Sequence, residues 1–181
     1  MTSPKQFHLE NFVSARESFH LARVTIHSRL DLSMHHHDYA EIFWVENGQG
    51  THQVNGQKIP LQKGHLVMMR PTDYHTFSSP RGLTIMNLAF FKDTLLFLRE
   101  RYFADRPTYF WTKNKLPYQV QLPIEEIQRI SARAEQAVDN PKDRLQLDSL
   151  LLFIFNRLSP IETYTYRPDM PSWLQNALQS Y

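Results

Sequence analysis

Two histidines and a glutamate stand on alternate positions in one short stretch of the sequence. The run HHHDYAEIFWVENG begins at His35 and also contains His37 and Glu41. Successive side chains of an extended strand point to opposite faces, so these three share a face with Tyr39 and Phe43. Two imidazoles and a carboxylate are therefore predicted to converge on one inner surface.

Such a convergence supports two kinds of chemistry. The chain has no cysteine, so a divalent ion would have to be held by imidazole nitrogens and carboxylate oxygens, which suit Zn²⁺, Ni²⁺, Mn²⁺ or Fe²⁺. Alternatively, the same groups form a hydrogen-bonded polar cluster that contains no ion and faces a polar ligand, because buried polar groups need partners in either case. Both interpretations stay open on the residues alone.

Other residues near this run have weaker chemical roles. His52 and His65 lie on predicted strands and are assigned structural roles, while Trp44 faces away from His35 and is expected to pack beneath the helices. Tyr39 and Phe43 could each lie against a sugar ring, with core packing as the alternative. Arg23 lies on the preceding strand and would belong to the site only if the strand face that carries its side chain points into a cavity.

The elements that position these residues are short strands separated by turns. A strand is predicted from Phe19 to His27, the central run is predicted to end in a turn at Asn47-Gly48, and Asn55-Gly56 is typical of a type I′ hairpin. Further strands follow up to residue 91, and such spacing indicates an all-β sandwich or barrel over 19–91. Residues 1–18 are interpreted as an irregular N-terminal arm.

Past residue 91 the hydrophobic period becomes helical. Leu95, Leu98 and Tyr102 would share one stripe of a short helix, and residues 106–123 are predicted to be irregular. Two antiparallel helices follow, one starting after Pro123 and one over roughly 142–158, whose apolar run 150–155 should be buried. Residues 92–168 thus form a helical appendage, and 169–181 begin a linker.

Composition bounds the protein further. The 181 residues are 41% hydrophobic and 21% charged, with a net charge of +2, which is typical of one globular domain with its own core. No apolar run reaches the roughly 20 residues of a membrane-spanning helix. The first residues do not form a signal peptide, so a cytoplasmic location is expected. No basic cluster indicates nucleic-acid binding by this part of the chain.

The central run resembles the first motif of the cupin superfamily, G-x5-H-x-H-x3-4-E-x6-G. His35, His37, Glu41 and Gly48 match it, although Arg29 occupies the place of the leading glycine. The second motif, G-x5-P-x-G-x2-H-x3-N, is matched loosely by Gly64, Pro71 and His75, with Asp73 near the glycine position and no following asparagine. The resemblance implies one double-stranded β-helix (jelly-roll) barrel. It also implies a site for one divalent ion made of His35, His37, Glu41 and His75.

The order of a barrel, two helices and the exit segment Pro171-Ser172-Trp173-Leu174 resembles the N-terminal half of AraC/XylS-type transcription regulators. This resemblance implies a non-enzymatic, homodimeric sensing domain that controls DNA binding through a helix-turn-helix domain beyond residue 181. The effector is expected to be a sugar or sugar phosphate bound by His35, His37, Tyr39, Glu41, Phe43 and His75, with Arg23 as a partner for a phosphate. The alternative is a free-standing metal-dependent cupin enzyme, a dioxygenase or a sugar isomerase.

Overall fold

A computed structural model describes residues 5–27, 33–79 and 81–158 of the chain. The predicted linker 169–181 and its Pro171 exit segment lie outside these residues, as does Arg29. Within the described residues no helix is long and apolar enough to cross a membrane.

Strands dominate the first two thirds of the fold, and helices follow them. The strands are β1 (Lys5–Phe7), β2 (Phe19–Ile26), β3 (His35–His37), β4 (Ala40–Val54), β5 (Gln57–Gln62), β6 (His65–Met69), β7 (His75–Ser78), β8 (Leu83–Phe90) and β9 (Tyr118–Gln121). The helices are α1 (Lys92–Leu98), α2 (Ile124–Val138) and α3 (Arg144–Leu158).

The strands form two hydrogen-bonded layers that share β4. The first half of β4 pairs with β6 and β8, β8 pairs with β2, and β6 pairs with β9. The second half of β4 pairs with β5 and β7, and β7 continues through β3 to β1. A mainly β cupin-type barrel followed by C-terminal helices, as expected from the sequence, is confirmed.

The strand β4 runs through the position where the sequence predicted a turn. Residues 40–54 form one strand, and the register against β8 shifts between Val45 and Asn47. Gly48 has a positive φ of 82°, and a Cβ there would lie 2.2 Å from the carbonyl oxygen of Gly82. The turn prediction was therefore wrong: the polar residues and the glycine form a β-bulge, which lets β4 pass from one layer to the other.

The hairpin between β4 and β5 follows the prediction. Asn55 and Gly56 have φ values of 49° and 79°, as the two central positions of a type I′ turn require. The six paired positions from Gln49 with Gln62 to Val54 with Gln57 continue without interruption into this turn. Local sequence is sufficient here because the turn type depends only on the two residues that form it.

Two segments that were predicted to be irregular belong to the sheet. In the N-terminal arm, β1 pairs in parallel with β3 and so lies beside the histidines, and Leu9 is buried. Within residues 106–123, β9 pairs with β6. Both strands are short edge strands, three and four residues long, so they have little periodicity of their own.

The helical region differs from the prediction in its first element. Leu95 and Leu98 of α1 are buried, but Tyr102 is 47% exposed and Phe103 is buried instead. Residues 99–103 form a π-helical turn, which widens the helix by one residue and changes which side chain faces the core. The predicted stripe is therefore wrong at Tyr102. The helices α2 and α3 form as predicted and contact each other.

Two hydrophobic clusters lie on opposite faces of the β4 layer. Phe43 and Val45 pack inside the barrel with residues such as Val67 and Ile85. Ile42 and Trp44 pack on the outer face with α2 and α3, including Leu150, Leu151, Ile154 and Phe155. The alternation predicted for residues 41–45 is confirmed, and it directs Glu41 to the same side as Phe43.

Candidate functional site

Three buried polar side chains from three strands meet in the barrel. His37 of β3, Glu41 of β4 and His75 of β7 each direct one ligand atom inward, and these atoms all lie within 4.8 Å of one another. The exposed fractions of the three residues are 1%, 2% and 0%. The pairing of β3 with β7 brings together histidines that are 38 positions apart in the chain.

His37 is held in one tautomer. Its Nδ1 lies 2.7 Å from the carbonyl oxygen of Tyr39, an atom that can only accept, so Nδ1 carries the proton. The Nε2 atom therefore presents a lone pair to the cluster, 3.5 Å from Oε2 of Glu41. Burial lowers the pKa of His37 to about 4, and the hydrogen bond to Tyr39 opposes this shift without overcoming it. The ring is neutral at pH 7.

Glu41 is a fully buried carboxyl group. Burial raises its pKa to about 7, and a side-chain hydrogen bond from Asn87 lowers the pKa only in part. Its Oε1 atom has no hydrogen-bond partner. A buried carboxyl oxygen without a partner is unfavourable unless another group binds it, so this oxygen is available to a ligand or a cation.

His75 is positioned by the loop before β7. Asp73 in that loop accepts hydrogen bonds from the backbone N–H and guanidinium of Arg70 and from the amide of Asn55. Arg70 also donates to the carbonyl oxygens of Thr112 and Asn114. The aspartate near the glycine position of the second cupin motif thus fixes the strand entry that brings His75 into the barrel.

His35 lies beside the cluster without joining the group of mutually close ligand atoms. Its Nδ1 is 2.9 Å from the carbonyl oxygen of Ser33, and its ring centroid is 4.3 Å from that of His75. Burial lowers its pKa. Of the four residues that the family motif implies as ligands, His37, Glu41 and His75 form the group of mutually close ligand atoms, and the ring of His35 packs against the ring of His75 next to this group.

Tyr39 and Phe43 are close to the cluster, but their ring faces are already covered. Tyr39 is stacked on His37 with ring centroids 4.3 Å apart. Phe43 contacts the rings of His52 and Phe77, at 5.2 and 5.1 Å. Of the two roles considered for these rings, core packing is the one that the structure displays.

Arg23 lies on the other side of the sheet. Its guanidinium binds the carboxylates of Glu46, at 2.6 Å, and Glu135, at 2.5 Å. Its neighbour Val24 packs with the barrel interior, so Arg23 must face outward toward α2. The suggestion that Arg23 reaches the pocket is wrong, because strand parity sends it to the helix side.

His52 and Asn87 join the cluster although the sequence analysis did not select them. Nε2 of His52 lies 3.2 Å from Nδ1 of His75, and Asn87 binds Glu41. His52 is two residues before the buried Val54, so strand parity alone would have directed it inward. His65 has a structural role as predicted, because its Nδ1 accepts the backbone N–H of Gln62.

The donor set fits a small divalent cation. Nε2 of His37, Oε1 of Glu41 and Nε2 of His75 are all buried without a hydrogen-bond partner, although other atoms of the same side chains have one. Two imidazole nitrogens and one carboxylate oxygen are a suitable set for Zn²⁺, Ni²⁺, Mn²⁺ or Fe²⁺. The space between atoms this close accommodates an ion or a water molecule, not a sugar ring.

A separate surface cavity of about 1020 Å³ lies between the N-terminal arm, α1 and the start of α3. Its lining includes Arg16, Phe97 and Lys142 and does not include the residues of the buried cluster. It mixes acidic, basic and apolar side chains, so its shape alone does not indicate one class of ligand.

Comparison with known proteins defines the class. The sequence profile of the AraC-like ligand-binding domain matches residues 21–155, which include the barrel and most of the helices. The chain therefore belongs to the family of AraC-like ligand-binding domains. A solved structure with a similar fold is that of ToxT from Vibrio cholerae O395, bound to (E)-4-(8-methylnaphthalen-1-yl)but-3-enoic acid. It has a TM-score of 0.52 and 12% identity, over 77% of this chain and 56% of that chain.

Individual relatives share a shorter region. The chain is 41% identical over 56 residues to the HTH-type transcriptional activator RhaS of Yersinia pestis strain Pestoides F. That match includes 31% of this chain, and the chain spans only 20% of the length of the relative. A cupin protein from Bacteroides fragilis is 17% identical, with a TM-score of 0.39 over 45% of this chain and 72% of that chain.

Proposed function

We propose that this chain is the effector-sensing part of an AraC-type transcription regulator and that it controls DNA binding by a helix-turn-helix domain beyond residue 181. The observation that carries the proposal is the match of the AraC-like ligand-binding family to residues 21–155. The buried His37, Glu41 and His75 cluster, with its three unpartnered polar atoms, supports a binding role inside the barrel. Unpartnered buried atoms are unfavourable in a domain that serves only as a scaffold. Within this family, we further propose that the protein is most similar to the regulator of the chitobiose operon.

The regulator interpretation is favoured over a metal-dependent cupin enzyme by the family match, which extends through α2 and most of α3. A sensing domain needs helices that transmit a change in the barrel, whereas a single-barrel enzyme does not. The test is the gene itself. Its reading frame is expected to continue past Tyr181 into a helix-turn-helix domain, and a stop codon directly after Tyr181 would favour the enzyme.

The effector class in this proposal is carbohydrate. Arg23 is engaged by Glu46 and Glu135, so it does not favour a phosphorylated sugar over a neutral one. Thermal unfolding of the 181-residue protein should be measured with neutral mono- and disaccharides, their phosphates and apolar carboxylic acids. A specific sugar at roughly 100 times its Kd should stabilise the fold by about 2.7 kcal/mol. Stabilisation by the acids and by no sugar would contradict the carbohydrate class.

The buried cluster is further proposed to hold one divalent ion. The ion would bind Nε2 of His37, Nε2 of His75 and Oε1 of Glu41, and it would organise the barrel for ligand binding. Elemental analysis of untagged protein should find about one Zn, Ni, Mn or Fe per chain, because these metals suit imidazole and carboxylate donors. Protein without metal, together with unchanged thermal stability after chelator treatment, would contradict this proposal.

The helices are proposed to mediate a homodimer, as cyclic dimers are the commonest symmetric assembly. The run from Leu150 to Phe155 is largely used inside the chain, so the contact would use exposed apolar residues such as Leu96 and Leu145, which are 58% and 67% exposed. Sedimentation equilibrium should show a dimer that weakens in a Leu96→Glu, Leu145→Glu double variant. A monomer at all concentrations would contradict this arrangement.

A further inference from the structure

His52 is the buried polar neighbour of the cluster that the proposed metal site does not use. The residue is 0% exposed, and its Nε2 lies 3.2 Å from Nδ1 of His75. Two imidazole nitrogens at this distance share one proton, so one ring donates and the other accepts. The direction of that hydrogen bond decides what His75 presents to the barrel interior.

Each direction has a definite consequence for His75. If His52 donates, then Nδ1 of neutral His75 is the acceptor, so Nε2 of His75 carries the proton and cannot bind a cation. If His75 donates from Nδ1, its Nε2 keeps a lone pair directed at Glu41 and His37. The acceptor on His52 thus determines whether the third ligand is available.

His37 provides a comparison within the same site. Its Nδ1 donates to the carbonyl oxygen of Tyr39, which leaves its Nε2 as a lone pair in the cluster. In metal sites a ligating histidine commonly donates its second ring N–H to such an acceptor, which fixes the tautomer and the ring orientation. In the corresponding position, Nδ1 of His75 meets the imidazole of His52.

The ring of His52 is held in place on both sides. It stacks on Phe77, with centroids 4.9 Å apart and planes 16° from parallel, and it meets the edge of Phe43 at 5.2 Å. The two strands pair directly at this position, His52 opposite Phe77. Rotation away from His75 would break both ring contacts, so Nε2 of His52 is a fixed rather than an adaptable partner.

We propose that His52 is a positioning residue for the metal site, accepting the Nδ1–H of His75 so that Nε2 of His75 faces Glu41 and His37 as a lone pair. His52 does not touch the ion itself. The proposal rests on the proposed metal site for its function, but the tautomers of the two rings can be measured in the metal-free protein, separately from metal binding.

The proton arrangement can be measured directly. Long-range ¹H–¹⁵N correlation spectra of metal-free, ¹⁵N-histidine-labelled protein at pH 8 distinguish the Nδ1–H and Nε2–H tautomers of each ring. The expected result is the Nδ1–H tautomer for His37, His52 and His75. An Nε2–H tautomer for His75 would overturn the proposal, whether or not the protein binds metal. Absence of metal binding with the expected tautomers would overturn the metal site alone.

Two variants test the consequence for metal binding. His52→Gln keeps an acceptor oxygen near the position of Nε2, whereas His52→Leu removes it within an apolar setting. Zn²⁺ affinity, measured by competition with a chromophoric chelator, should fall by about 10- to 100-fold in His52→Leu and stay near the wild-type value in His52→Gln. Equal affinity in wild type and His52→Leu would overturn the role of His52.

Loss of packing must be separated from loss of the hydrogen bond. Ile85→Ala truncates a buried apolar side chain of the same barrel-interior cluster and changes no polar atom, so it serves as the packing control. It should lower thermal stability while leaving the Zn²⁺ affinity within about threefold of wild type, since the donors and the ring contacts of His52 are untouched. If Ile85→Ala lowers the affinity as much as His52→Leu, the effect is one of packing and the proposal fails. The Co²⁺ absorption spectra of both variants provide a second comparison of ligand geometry.

Discussion

At the scale of single residues, the site depends on a carboxyl group that burial makes difficult to ionise. Glu41 is 2% exposed, and its pKa is raised to about 7 because the charged form loses its hydration. Above pH 7 the folded, metal-free protein must hold a buried negative charge, which the unfolded chain exposes to water. A bound cation would compensate this charge, so the destabilisation by Glu41 in the metal-free domain would be the counterpart of the proposed affinity for an ion.

Replacing Glu41 by Gln should therefore stabilise the metal-free protein at high pH. The unfolded pKa is near 4.5 and the folded pKa about 7, so the destabilisation is small near pH 4.5 and complete above pH 7. At about 1.4 kcal/mol per pKa unit, Glu41→Gln should gain up to about 3 kcal/mol at pH 8. Urea unfolding in the presence of a chelator measures this gain, and an equal gain at pH 5 and pH 8 would contradict the account.

The sequence identifies some of these residues and misses others for a clear reason. Alternation within one run is a local property, and it correctly placed His37 and Glu41 on one face. The partners His52 and Asn87 are brought in by pairing with other strands, and their roles depend on cross-strand register. The family motif also suggested His35 as a ligand, but a motif does not record that its ring packs on His75.

At the scale of elements, the bulge in β4 allows one strand to serve both layers of the barrel. Gly48 combines a positive φ of 82° with a close approach to the backbone of Gly82. Gly56, in the hairpin, has nearly the same φ of 79°, but no atom lies near the position of its Cβ. Substitutions at these two glycines therefore distinguish the free-energy cost of a positive φ from the free-energy cost of a steric clash.

Gly48→Ala should be much more destabilising than Gly56→Ala. The hairpin variant should lose roughly 1 kcal/mol from the left-handed conformation alone. The bulge variant adds a clash that backbone movement must relieve, so a loss of more than about 3 kcal/mol is expected, comparable to overpacked cores. Chemical denaturation measures both variants. Similar losses of stability in the two variants would show that the close approach of Gly48 to the backbone of Gly82 does not restrict the residue at position 48.

The elements that the sequence predicted well are those determined within one segment. The hairpin at Asn55-Gly56 and the start of α2 after Pro123 need only local residues. The bulge at Gly48 was mistaken for a turn because both use the same polar residues and glycine. A bulge differs from a turn only in that strand pairing continues through it: β4 pairs with β8 before this point and with β5 after it. The π-helical turn at residues 99–103 similarly has no distinct sequence signal.

At the scale of the whole molecule, one polar network joins the barrel to α2. The indole N–H of Trp44 donates to Oγ of Ser131 at 2.8 Å, and this hydroxyl donates to Glu46 at 2.6 Å. Arg23 connects Glu46 to Glu135 on the same helix. Trp44 lies on the outer face of β4, three positions from Glu41, so a change at the cluster and a shift of α2 act on the same strand.

Ser131→Ala should weaken the attachment of α2 to the barrel. It leaves the buried N–H of Trp44 without an acceptor, and an unsatisfied buried group costs about 1 to 3 kcal/mol. The exposed Gln128→Ala on the same helix is the matched control and should change stability by less than about 0.5 kcal/mol. Urea unfolding measures both variants. Equal effects would mean that the network does not contribute to holding the helix.

Acidification should destabilise the metal-free domain as a whole. Burial lowers the pKa of His37 to about 4 and that of His52 to about 3, and burial also lowers the pKa of His75 well below its usual range. These rings stay neutral when folded but take up protons near pH 6.5 when unfolded, so their stabilisation is lost as the pH falls below 6.5. Glu41 has the opposite effect, because its destabilisation of the folded state decreases as the pH falls from 7 to 4.5. The net loss from pH 7 to pH 5 should be about 3 kcal/mol.

A titration of stability against pH checks this balance. His52→Gln removes one of the three imidazoles, so its loss between pH 7 and pH 5 should be about 2 kcal/mol smaller than that of wild type. A wild-type stability that is constant or rises on acidification over this range would contradict the burial of neutral imidazoles. The Gln128→Ala variant, which is altered outside the cluster and removes no titratable group, should follow the wild-type curve.

In the proposed function, the binding centre of the domain is built on His37, Glu41 and His75. Its decisive test is calorimetric titration of untagged, metal-free protein with Zn²⁺ at pH 7.5, with Glu41→Gln and His65→Gln measured in parallel. We expect about one tight site per chain in wild type and His65→Gln and its loss in Glu41→Gln, because Glu41 is one of the proposed ligands and His65 is not. No binding in wild type, or equal binding in Glu41→Gln, would contradict the proposed site.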